Sequence, residues 1–128
     1  METKPKRVLV VEDELPLRKI LADKLIAEGY SVTTALNGQE GLLFALDEHP
    51  DLILLDLVMP VMDGLTMLEK LRADTHYGAT ARVILLTNIN DRDKVAHATE
   101  ASSYDYLVKS DWDLDDVVKK VKARLDRV

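Results

Sequence analysis

Residues 52–64 read LILLDLVMPVMDG, four aliphatic residues closed by a carboxylate and followed by a segment punctuated with Pro60, Asp63 and Gly64. A short apolar run bounded by turn residues is the pattern of a strand buried on both faces, as in a parallel sheet. Asp56 then stands at the carboxyl end of that strand. In open α/β sheets, ligands bind in the crevice beyond those ends, so the position is a chemical one.

Outward from this strand the pattern repeats. Upstream, Arg7–Val11 is a β-branched apolar strand running into Glu12, Asp13 and Glu14, and Pro16 suits the first turn of a helix carrying Leu17, Ile20, Leu21 and Leu25. Gly29 ends that helix, and residues 30–35 read as a second strand. Asn37 with Glu40 three residues later forms a capping-box signature, opening a helix with Leu42, Leu43, Ala45 and Leu46 up to Pro50.

Downstream, Leu65, Leu68 and Leu71 mark one face of a third helix, and Gly78 ends the loop after it. Residues 82–86, RVILL, are a fourth strand delivering Thr87. Residues 91–101 are a weaker helix with few large apolar side chains. Residues 104–108 are a fifth strand delivering Lys109. The last helix is the clearest, with Leu114, Val117, Val118, Val121 and Leu125 on one stripe and Asp113 as its cap. Five strands alternating with five helices predict a doubly wound α/β domain, because parallel strands need crossovers and crossovers are right-handed.

Composition narrows the function. The 128 residues suit one domain, 1–128, with residues 1–6 as a disordered tail. There is no cysteine, which excludes disulfides, thiolate metal sites and cysteine nucleophiles. A reducing, cytoplasmic setting is the simplest expectation. The N-terminus lacks the apolar core of a signal peptide, and no run approaches the roughly 20 apolar residues of a spanning helix, so no membrane is expected. A net charge of −6 argues against direct nucleic-acid binding.

In a parallel sheet the strand ends share one edge, which gathers Glu12, Asp13, Asp56, Thr87 and Lys109. Carboxylates a few ångströms apart repel by about 4 kcal/mol per pair at an effective dielectric near 20. A cation is therefore expected among them. Oxygen ligands alone suit a hard ion such as Mg²⁺, which binds through one or two carboxylates plus a phosphate. With a nucleophilic carboxylate, a hydroxyl and an ammonium, the set fits phosphoryl transfer to Asp56. Taken singly, the acids also read as helix caps and Asp56 as a turn residue. Their joint placement on one edge favours the chemical reading.

The motifs VLVVEDE, LILLDLVMPVMDG, VILLT and YDYLVK, in this order and spacing, resemble the receiver domain of bacterial response regulators, the family of the chemotaxis protein CheY. The resemblance runs from Arg7 to the last helix. It implies a flavodoxin-like sheet of strand order 2-1-3-4-5 and a signalling switch rather than an enzyme, with phosphotransfer and dephosphorylation partly self-catalysed. It implies that Asp56 is the phosphoacceptor, that Asp13 and Asp56 hold Mg²⁺ with the backbone carbonyl of Val58, and that Glu12 acts on the ion through water. Thr87 resembles the switch hydroxyl, Tyr106 the aromatic that turns with it, and Lys109 the phosphate-binding lysine. The implied partners are a sensor histidine kinase or phosphotransfer protein as donor and a downstream effector. The effector would meet the face built from the helix of residues 91–101, the fifth strand and the last helix. Many receivers pair through that face, so a homodimer is one expectation, with Asp93, Lys94 and Asp105 as salt-bridge candidates. With no effector domain after Val128, the sequence reads as a stand-alone receiver or one excised from a longer protein.

Four positions depart from the pattern. Ser110 follows Lys109 where proline is usual, Asn88 follows Thr87 where alanine or glycine is common, and Ser102-Ser103 replaces Gly-Ala. They keep open a pseudo-receiver that works without phosphorylation. A phosphatase of the haloacid dehalogenase type would want an acid two residues after the nucleophile, and Val58 stands there.

Overall fold

The computed structural model describes residues 4–87, 105–108 and 113–125, with Thr87 and 105–108 described as backbone. Five strands, β1 (Arg7–Val11), β2 (Ser31–Ala35), β3 (Leu52–Asp56), β4 (Val83–Thr87) and β5 (Asp105–Val108), form one parallel sheet ordered β2-β1-β3-β4-β5. The expected order is the one observed. Helices α1 (Leu15–Ala27), α2 (Gly38–Glu48) and α3 (Gly64–Arg72) and a C-terminal helix, Leu114–Leu125, make up the helical layers among the described residues. The expected helix over 91–101 lies outside the described residues, as do Asn88, Ser102, Ser103, Lys109, Ser110 and Trp112.

Strand periodicity sorts the core into two halves. Leu9, Val11, Ile53, Leu55, Val83 and Leu85 point to one face and pack with Ala45 of α2 and Met67, Leu68 and Leu71 of α3. Val8, Val10, Leu52, Leu54, Ile84 and Leu86 point to the other and meet Leu21 and Leu25 of α1 and Val117, Val121 and Leu125 of the C-terminal helix. Both faces of β3 are thus covered, and its first four residues are wholly inaccessible to solvent. Each such side chain contributes about 1.5–3 kcal/mol of burial, which is why this run tolerates no polar residue before Asp56.

The helix ends follow local chemistry. Pro16 stands in the first turn of α1, and Gly29 follows its last turn at φ 99°, a conformation that costs glycine little. Asn37 accepts the Glu40 amide at 2.9 Å, and Glu40 returns a bond to the Leu36 amide at 3.0 Å, closing the predicted capping box one residue wide of the usual partner. Asp113 and Asp116 cap the C-terminal helix reciprocally, each accepting the other's amide at 3.0 Å.

Two helix faces differ from expectation. In α2, Leu43 is 65% exposed and Leu46 is also exposed, while the buried face is Gly38, Gly41 and Ala45. Small residues let the helix backbone approach the sheet closely, so a stripe of leucines is not what it presents inward. In α1, Ile20 is exposed and Ala22 is buried instead.

Candidate functional site

Register places the acids. β1 and β3 are neighbours with Val11 opposite Leu55, so the residues after them, Glu12 and Asp56, leave the sheet side by side. Glu12 is 0% exposed and Asp56 4%, the only two buried charged residues among those described, while Asp13 faces solvent. One carboxylate oxygen from each of Glu12, Asp13 and Asp56 lies within 4.8 Å of the other two. The cluster thus joins two buried acids to one that is open to solvent.

The loop after β1 is held by its own backbone. The Glu12 amide continues the ladder to the Ala35 carbonyl at 3.1 Å, and the Glu14 amide donates to the Glu12 carboxylate at 3.1 Å. Glu14 occupies the N-cap of α1 but makes no side-chain cap bond. The capping alternative therefore fails for Glu14, and Glu12 turns back upon the loop. Arg18, one turn into α1, donates from Nη1 to the carbonyls of Glu12 at 2.9 Å and Asp13 at 3.3 Å. Nothing in the sequence singled out Arg18; a lone arginine in a first helical turn carries no signal of its own.

The loop after β3 is tighter. Leu57 donates to the Leu86 carbonyl at 3.2 Å, Gly64 closes the loop by donating to the Leu57 carbonyl at 2.8 Å, and Val58 donates to Asp56 Oδ1 at 3.4 Å. Asp56 thus holds a turn contact and stands in the acid cluster at once. Between these anchors the Met62 amide bonds the Pro60 carbonyl at 2.7 Å, a three-residue turn with Val61 at its centre, φ 68° and 74% exposed. A β-branched residue at positive φ is strained. At the tip, the Gly38 amide donates to the Met62 carbonyl at 3.0 Å. Asp63 then caps α3 by accepting the Thr66 amide at 2.8 Å.

The donor set is hard oxygen throughout, which suits a small divalent cation such as Mg²⁺. Three clustered carboxylates without such an ion repel one another, and burial of two of them enlarges the effect. The backbone of Thr87 ends β4, and Thr87 pairs with Val108 at the end of β5, so the hydroxyl-bearing residue and the segment leading to Lys109 reach the same sheet edge. Tyr106 stands in β5 opposite Leu85. Lys109 itself lies outside the described residues. No helix among the described residues is long and apolar enough to cross a membrane.

Comparison with known proteins identifies the family and the fold. The family model of the response regulator receiver domain matches residues 8–122. Response regulator ArlR of Staphylococcus aureus is 36% identical over 121 residues, covering 94% of this chain and 53% of the relative. The chain spans about half the length of the curated relatives it matches. Among solved structures, the response regulator TrrA of Thermotoga maritima, in complex with Mg²⁺-BeF, aligns with a TM-score of 0.80 at 36% identity, over 94% of this chain and 99% of that one. The chemotaxis protein CheY4 of Vibrio cholerae aligns with a TM-score of 0.83 at 28% identity, over 94% and 99%.

Proposed function

The chain belongs to the response regulator receiver domain family, and from that premise we propose that residues 1–128 form a single phosphorylation-activated switch whose acceptor is Asp56. Receiver domains are signalling domains of two-component systems, and the sequence relatives of this chain are regulators. The observation that carries the reading is the cluster of Glu12, Asp13 and Asp56, two of them buried, at the carboxyl edge of the sheet.

In this reading a carboxylate oxygen of Asp56 attacks the phosphorus of a phosphohistidine on a sensor kinase or phosphotransfer protein. The new P–O bond forms as the P–N bond breaks, and the electron pair and a proton end on the departing imidazole. Asp13, Asp56 and the Val58 carbonyl would hold Mg²⁺ directly, with Glu12 acting through water. When bound, Mg²⁺ neutralises the clustered charge and draws negative charge from the phosphoryl oxygens. The Lys109 ammonium and the Thr87 hydroxyl would take the remaining oxygens, and Tyr106 would turn with Thr87 to alter the output face that an effector reads. Water attack on phosphorus later returns the Asp56 carboxylate and releases inorganic phosphate.

Intact-mass spectrometry after incubation with acetyl phosphate and Mg²⁺ tests the assignment. The wild type is expected to gain one acid-stable, base-labile phosphoryl group and the Asp56→Asn protein none. Uptake by the variant would refute Asp56 as acceptor, and no uptake by the wild type would favour a pseudo-receiver.

A further inference from the structure

We infer that Gly38, at the start of α2, is a positioning residue for the cation site, acting through the loop that follows Asp56; the inference rests on the receiver reading of that site. The contact is backbone to backbone. The Gly38 amide donates to the Met62 carbonyl at 3.0 Å, and Gly38 is buried. A Cβ on Gly38 would stand closer to that carbonyl oxygen than real Cβ atoms ever come, and would also press on the Met62 carbonyl carbon and Cβ. Glycine is required here for space, not for an unusual φ.

The loop it presses on is anchored at its base and strained at its tip. Leu57 is tied to Leu86 and Gly64 at the base of the loop, and the Pro60–Met62 turn already holds Val61 at φ 68°. With the base fixed and the tip strained, a displaced Met62 carbonyl has no slack to absorb the movement within the turn. The displacement passes to Val58 and Pro60. Val58 lies between the two anchors, its amide on Asp56 and its carbonyl the proposed third ligand. A Mg²⁺ site demands ligands near 2.0–2.1 Å in octahedral geometry, so a backbone shift of more than half an ångström is felt there. Loss of supporting contacts around metal ligands costs about 10–100-fold in affinity.

Gly41 supplies the control. It too is crowded, though less severely and by side chains rather than backbone: a Cβ there would meet Val11 side-chain atoms at 2.8 and 2.9 Å and the Met67 sulfur at 3.0 Å, none of them part of the loop after Asp56. Gly41→Ala disturbs packing, whereas Gly38→Ala disturbs packing and the loop.

Mg²⁺ titration of wild type, Gly38→Ala and Gly41→Ala by amide NMR, beside urea unfolding of each, separates the two roles. Gly38→Ala is expected to bind Mg²⁺ about tenfold or more weakly while folded, and Gly41→Ala within twofold of wild type, though both unfold at lower urea. Equal affinity in Gly38→Ala and wild type, or equal loss in both variants, would overturn the inference. If Gly38→Ala does not fold, the wild type still decides. Coupling is reciprocal, so saturating Mg²⁺ must slow hydrogen exchange at the Gly38 amide. Unchanged exchange there would also overturn the inference. Absence of any saturable Mg²⁺ response in the wild type would instead overturn the receiver reading itself.

Discussion

Val11 and Leu55 sit opposite each other in adjacent parallel strands, and this register alone delivers Glu12 and Asp56 to one point at the sheet edge. The like charges gathered there are a cost that folding bears in the absence of a cation. Asp56→Asn is therefore expected to stabilise the Mg²⁺-free protein by about 1–3 kcal/mol, below the full pairwise repulsion because Asp13 is exposed. Millimolar Mg²⁺ should raise the stability of the wild type in proportion to the logarithm of its concentration over Kd and leave the variant nearly unchanged. Urea unfolding with chelator and with Mg²⁺ checks both signs.

Val61 gives a second handle. It occupies the left-handed region at φ 68° without burying its side chain, so its strain is not repaid by packing. Val61→Gly is expected to stabilise the protein by about 1 kcal/mol, the relief of a strained backbone less the entropy that glycine adds to the unfolded chain. Chemical denaturation measures it directly, and a destabilised variant would show that the turn depends on the valine.

Tyr77 predicts behaviour at alkaline pH. Its hydroxyl donates to the Pro50 carbonyl at 2.8 Å and its ring stacks on His49, with centroids 4.7 Å apart. Burial, reinforced by the Asp51 carboxylate, holds the phenol's pKa well above the ordinary 10.0. The folded state therefore keeps the proton that the unfolded state gives up. The contribution is complete below about pH 10 and declines as pH rises towards the folded value. Tyr77→Phe should cost about 1 kcal/mol at pH 7 through the lost hydrogen bond, and should flatten the alkaline limb of the stability profile. An unchanged alkaline limb would contradict the assignment.

Caps are tested more simply. Asn37 accepts the Glu40 amide at the start of α2, and Asn37→Ala is expected to cost about 1 kcal/mol in urea unfolding. The same helix bears Gly38, so the cap also holds the element that contacts the loop after Asp56.

These residues show what a sequence discloses. β1 and β3 were legible to the residue because an aliphatic run ending in a carboxylate has one reading in a parallel sheet. The α2 face was not, because hydrophobic spacing points to Leu43 and Leu46 whereas close packing selects Gly38, Gly41 and Ala45. The acids of the site were legible as residues at strand ends, and their 4.8 Å grouping follows from register. Arg18, Val61 and Gly38 were not, since their parts are played by backbone carbonyls, a dihedral angle and the space of a missing Cβ. None of these is written in residue type.

The central claim is a Mg²⁺-dependent acceptor at Asp56, and a titration with Mg²⁺ and beryllofluoride, followed by amide NMR in wild type and Asp56→Asn, tests it most directly. Saturable shifts are expected in the wild type, centred on residues 12–14 and 56–64 and extending to β4 and β5, and lost in the variant. A wild type that does not respond, or a variant that responds equally, would contradict it.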